Sequence, residues 1–156
     1  MSNPLSDIKK YFKLEELVSK AVYDKYGDFA WNFFDTKLIE TIIALREKIL
    51  CVPLVCNNWK SGGSLSQRGF RENTCEIVAE KTKANKIYCS AHCLGKGIDL
   101  SSPKMKADEM RIRIEANKNI LPYNVRIEDA KSAPTWLHID IMCEQGGINK
   151  VTYFSA

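Results

Sequence analysis

The chain has 156 residues, 45% of them hydrophobic and 27% charged, a composition that suits one domain able to bury roughly two thirds of the surface its unfolded form exposes. The net charge of +4 and the pI near 8.7 come from Lys and Arg interleaved with Asp and Glu, which argues for a solvated surface and against a nucleic-acid groove, where basic residues cluster with stacking aromatics. No apolar run reaches membrane-spanning length, Met1 to Asp7 lacks the apolar core of a signal peptide, and the six cysteines include no C-x-x-C pair. A monomeric protein made in the cytoplasm with reduced thiols is therefore expected, and a zinc finger is not.

Taken in order, residues 5–26 carry Leu14, Leu17, Val18, Ala21 and Val22 at helical spacing, which predicts a short helix after Phe12. The aromatic-dense stretch 29–34 is expected to pack an N-terminal arm, residues 1–34, onto the core. Asp35 is a good helix N-cap, and Leu38, Ile42, Leu45 and Ile49 recur on one face of a helix running to about Leu50. Pro53 breaks it, and Leu54-Val55-Cys56 reads as a short buried strand.

A glycine-rich polar loop follows over residues 57–71, with Arg68 and Arg71 flanking Gly69-Phe70; either guanidinium could receive a carboxylate, or both could be solvated. Thr74 is expected to cap a helix over 75–83. Residues 86–91 then read as a strand that delivers His92, and Ile98-Asp99-Leu100 as extended chain beyond a glycine turn. A helix starting at Ser102-Pro103, with proline in its first turn, places Ala107, Met110 and Ile114 inward. Val125 to Glu128 reads as a strand. From Trp136 the alternation is clean, with Leu137, Ile139 and Ile141 on one face and His138 and Asp140 on the other, and residues 149–154 read as a final antiparallel strand after a Gly146-Gly147 turn.

His92 and His138 are the two histidines of the chain. Each lies near an aspartate in strand-like sequence, and a histidine and an aspartate seven positions apart across a glycine turn can face one ion. His92, Asp99 and His138 are thus a candidate metal triad that leaves a position open for water. A thiol enzyme using Cys93 beside His92 is disfavoured, because neighbours in a strand point to opposite faces.

The run Ser90-x-His92-x-x-Gly95-x-x-x-Asp99 resembles the S-x-H-x-x-G-x-x-x-D motif of the M15 metallopeptidases, the D-alanyl-D-alanine carboxypeptidase and endopeptidase family that shares its fold with the hedgehog signalling domain. Trp136-Leu137-His138 resembles the family's late W-x-H strand. The likeness extends to residues 11–17, to the helix carrying Arg46, and to the loop ending in Arg68 and Arg71, a phage or prophage version of the substrate loop.

The resemblance implies a single α+β domain over residues 1–156, with a small, mainly antiparallel sheet and helices packed on one side. It implies a zinc hydrolase acting on peptidoglycan stem peptides, with His92, Asp99 and His138 as ligands, Arg68 or Arg71 holding the substrate carboxylate, and Ser90 steadying the ligand-bearing turn. Such a protein would act on the cell wall once released, for instance with a holin, or carried on a virion.

One position departs from the family. Its usual general base lies three residues before the last histidine, where this chain has Thr135, which cannot take a proton near pH 7. Asp140 and Glu128 are the two carboxylates that could substitute. The same departure supports a second reading, a zinc-stabilised wall-docking module without catalysis.

Overall fold

Alternating apolar residues build a sheet one face of which is out of solvent on three of its four strands. The structure, a computed structural model, describes residues 3–155. Its strands are β1 (Gly97–Leu100), β2 (Val125–Glu128), β3 (Leu137–Asp140) and β4 (Val151–Phe154), side by side in the order β1-β3-β2-β4. Strand side chains alternate between faces, so Ile98, Leu100, Val125, Ile127, Leu137 and Ile139 fall together, each at 0% exposure. Each contributes about 1.5–3 kcal/mol on burial, so the apolar face alone anchors the sheet. The other face carries Asp99, Arg126, Glu128, His138 and Asp140, which line one cavity.

Five α-helices accompany the sheet: α1 (Pro4–Ile8), α2 (Lys20–Tyr26), α3 (Thr36–Ala44), α4 (Glu76–Lys83) and α5 (Ala107–Ala116). The class is α+β, as expected. Asp35 caps α3 by accepting the Lys37 amide at 2.9 Å. Leu38, Ile42, Leu45 and Ile49 are buried, although the helix widens into a π turn over Leu45–Ile49 that closes through Leu50 N–H to the Leu45 carbonyl at 2.8 Å. Met110 and Ile114 of α5 join the same core, as their spacing predicts. The segment up to residue 34 belongs to that core through Ile8, Phe12, Leu17, Val22 and Trp31, while Phe29 stays 62% exposed and does not pack as expected. No helix among the described residues is long and apolar enough to cross a membrane.

Five elements differ from the sequence reading, one of them α5, which starts at Ala107 and not at Ser102-Pro103. The helix after Phe12 is split into a 3-10 turn at Leu14–Glu16 and α2, because the chain between them pairs elsewhere: Leu17 O accepts Phe70 N–H at 2.8 Å and Ser19 N–H reaches Phe70 O at 3.0 Å. Ser19 then caps α2. Residues 54–56 form only a bridge, Val55 to Ser101. Residues 86–91 are not a strand, since the outer edge of β1 is already used by that bridge and by Arg68 O, which accepts Asp99 N–H at 2.8 Å.

The last strand, β4, is parallel to β2 and does not form an antiparallel hairpin with β3. Both edges of β3 are taken, by β1 and by β2. The chain leaving β3 therefore passes the start of β2 and joins its open edge. Asn124 guides that crossing: its side chain donates to the Glu144 and Gly147 carbonyls, and its backbone exchanges hydrogen bonds with the Gln145 side chain.

Candidate metal centre

Three separate pieces of chain bring the triad together. β1 and β3 pair with Asp99 opposite His138. His92 comes from a turn tied by Leu94 N–H to Ser90 O at 3.2 Å and Lys96 N–H to Ala91 O at 2.8 Å, with the Ser90 hydroxyl accepting His92 N–H at 3.3 Å. The Ser90 hydroxyl thus ties down the turn that carries His92. The glycine-rich loop supplies the last support. Gly69 runs so close to Leu17 that a Cβ there would stand 1.8 Å from its carbonyl oxygen, and this approach aims the Gly69 carbonyl at His92 Nδ1, 2.9 Å away.

These partners decide which ring nitrogens face an ion. A carbonyl can only accept, so Nδ1 of His92 carries the proton and Nε2, 3.5 Å from Asp99 Oδ1, presents its lone pair. Nε2 of His138 donates to Asp140 Oδ2 at 3.1 Å, which turns Nδ1 toward Asp99 Oδ1 at 2.7 Å. Donor atoms of the three residues lie within 4.8 Å of one another. Bonds of about 2.0–2.1 Å to a tetrahedral ion set its ligands roughly 3.3 Å apart, a value the two observed separations bracket. The group can therefore hold a metal ion.

The electrostatics agree. Burial lowers the pKa of His92, so its ring is neutral and available at pH 7. Burial opposes charge on His138 as well, but hydrogen bonds with Asp140 and Asp99 outweigh it and raise the pKa to about 9. Asp99 is held far below the usual carboxylate range, its burial overcome by the hydrogen bond with His138 and the nearness of His92. The site is built to hold positive charge between two imidazoles and a carboxylate.

Asp140 is fully engaged. Its Oδ1 accepts from Arg126 Nε and from Met142 N–H, both at 2.9 Å, and its Oδ2 accepts from Arg126 at 3.0 Å as well as from His138. It is 0% exposed, and the His138 and Arg126 hydrogen bonds overcome its burial and keep its pKa below normal. This is the geometry of a carboxylate that orients a ligand histidine. Asp140→Asn puts an amide N–H₂ against either Arg126 or His138, and metal affinity is expected to fall about 10- to 100-fold. Competition with a chromophoric chelator measures it, and an unchanged affinity would remove Asp140 from the site.

Glu128 is different. Arg126 faces Asp140 and Ile127 faces Ile139, so one more step of the same antiparallel register sets Glu128 beside His138. Glu128 lines the cavity with its carboxylate oxygens open to it, and among the described residues they have no hydrogen-bond donor or ion-pair partner; partial burial raises its pKa.

The arginines separate too. Arg71 is 5% exposed and lines the cavity, with an Nε–H that has no partner. Arg68 turns aside, donating to Ser101 Oγ at 3.0 Å and lying over the Trp136 ring at 5.9 Å. Thr135 is exposed and lines a separate cleft with Pro134 and Lys104. Burial raises the Cys93 thiol, so it stays protonated and is no nucleophile.

The cavity, about 390 Å³, has Ile77, Tyr88, Trp136 and Phe154 as its apolar wall. Sequence reasoning passed over Arg126, although the period-2 pattern of β2 puts it on the same face as Glu128. It also missed Phe154, whose ring meets His138 edge-on with centroids 5.7 Å apart, and whose role depends on the unexpected path of β4. Comparison of the chain with protein-family models, curated proteins and solved structures found no match in any of the three.

Proposed function

We propose that the chain is a zinc peptidase of the M15 type, with the hedgehog-like fold of that family, hydrolysing peptide bonds in the stem peptides of bacterial peptidoglycan, and that it is of phage or prophage origin. The observation that carries the reading is the convergence of His92 Nε2, Asp99 Oδ1 and His138 Nδ1 in a cavity that also holds the unpartnered Arg71 guanidinium. Two imidazole nitrogens, that of His138 once an ion displaces its proton, and one carboxylate are the donor set of a catalytic zinc site. A bound zinc supplies Lewis acidity, drawing charge from the scissile carbonyl and bringing the pKa of water toward about 7.

The chain's own residues do the rest. Arg71 receives the substrate carboxylate, either the free terminus of the stem peptide or the carboxylate of the residue after L-Ala, and fixes the scissile bond over the triad. Arg68 holds the Trp136 wall. The apolar side chains of the cavity exclude bulk water.

Zinc-loaded protein incubated with purified peptidoglycan is expected to release new amino groups, and to stop when a chelator is added. Free alanine among the products marks a carboxypeptidase, and a new peptide amino terminus an endopeptidase. Arg71→Ala removes one or two charge-assisted bonds of about 1.5–3 kcal/mol each, so kcat/KM should drop roughly a hundredfold while zinc stays bound. The second reading, a wall-docking module without turnover, is favoured by Thr135 at the usual position of the base. Zinc-loaded protein that binds the wall and releases no amino groups would establish it.

A further inference from the structure

We propose that Glu128 is the catalytic residue that takes the proton from the attacking water, a role that rests on the peptidase reading above. β3 lies between β1 and β2, and His138 therefore has a carboxylate across each ladder: Asp99 on β1 and Glu128 on β2. Side chains directly opposite on neighbouring strands have Cβ atoms about 4.5–5.5 Å apart. The same face and the same register put Glu128 at the triad's flank, yet its oxygens fall outside the set of atoms close enough to share one ion. A base that acts through a water sits near the triad without ligating the ion.

The other carboxylates of the cavity are committed. Asp99 serves both histidines, and Asp140 accepts from Arg126, Met142 and His138. Glu128 alone among them has no donor, at 8% exposure. Its carboxylate oxygens open onto the cavity, where a water can reach them. Proton acceptance gives it a use that its surroundings do not. Thr135, the residue at the family's usual position, opens onto a different cleft.

The step balances within the chain and its substrates. The Glu128 carboxylate removes one proton from water as the water oxygen bonds to the carbonyl carbon. The carbon–nitrogen bond then breaks, the same proton passes from Glu128 to the departing amine, and the carboxylate is restored with one water consumed.

Glu128→Gln in the full chain tests this. The variant is expected to bind one zinc with unchanged affinity, to bind the stem peptide in calorimetry as tightly as the parent, and to lose turnover by about 10²–10⁴-fold. Glu128→Asp should recover part of the rate, and Thr135→Ala should keep all of it. Zinc-loaded Glu128→Gln that turns over at the parent rate, or a variant that loses its zinc, overturns the assignment. If the zinc-loaded parent itself releases no amino groups, the peptidase reading fails and the assignment with it.

Discussion

His92→Ala is expected to lower metal affinity by about 10²–10³-fold, one ligand's share of the 10–16 kcal/mol that a four-ligand zinc site supplies, and, on the proposed peptidase reading, to bring peptidoglycan turnover down to background. The side chain is 4% exposed, and its role in the fold is small: its ring makes one hydrogen bond, to the Gly69 carbonyl. The turn that carries it is held by the main chain, through Leu94 to Ser90 and Lys96 to Ala91, and through Asp35 N–H to Gly95 O at 2.9 Å. The variant should therefore keep its circular dichroism spectrum and most of its thermal stability while losing metal. Asp99 and His138 remain as a two-ligand remnant, too weak to compete with a moderate chelator. A His92→Ala protein that keeps parental zinc affinity would place the ion elsewhere.

Gly95→Ala should act in the opposite way, on the fold first and the metal second. Gly95 has a φ of +67°, and a Cβ there would stand 1.9 Å from the carbonyl oxygen of Phe33. Alanine pays about 1–2 kcal/mol for the left-handed conformation alone. The clash is with backbone, which cannot rotate away, so the Phe33–Asp35 segment and the ligand turn must move apart. The total cost is expected to be about 3–4 kcal/mol, a drop of roughly 6–15 °C in Tm for a chain of this size. Gly146→Ala is the matched control: its φ is +90°, but nothing lies within 4 Å of the added carbon. Denaturant unfolding of the two variants separates conformational cost from contact. Equal losses would mean that the turn is not locked against the Phe33 segment.

Much of this was legible in the residue pattern, and the rest has identifiable physical reasons. The alternation from Trp136 to Ile141 is period 2 without interruption, so the polar face of β3 could be read directly, and His138 and Asp140 do share it. The face of α3 was equally plain because four buried apolar residues follow helical spacing. His92 joins the triad, yet it rides on a turn; residues 86–89 are exposed, and the β1 edge beside them is taken by the Val55–Ser101 bridge and the Arg68 carbonyl. Local pattern cannot say which edges other segments have already taken. The path of β4 was misread for the same reason.

Long-range pairing also decides the roles of individual side chains. Asp140 and Glu128 looked interchangeable as carboxylates near His138. Their difference comes from Arg126, which grips one and not the other. Arg68 and Arg71 looked equivalent until Ser101 and Trp136 claimed the first. The triad rests on spacing within one short motif and one strand, whereas those assignments depend on contacts between residues 14 to 68 positions apart.

Native mass spectrometry of the purified chain, dialysed against zinc and then against buffer, tests the metal centre most directly. One zinc ion per chain is expected, removed by a strong chelator and bound again on its return. A chain that retains no metal after zinc loading, with its fold intact, would contradict the account.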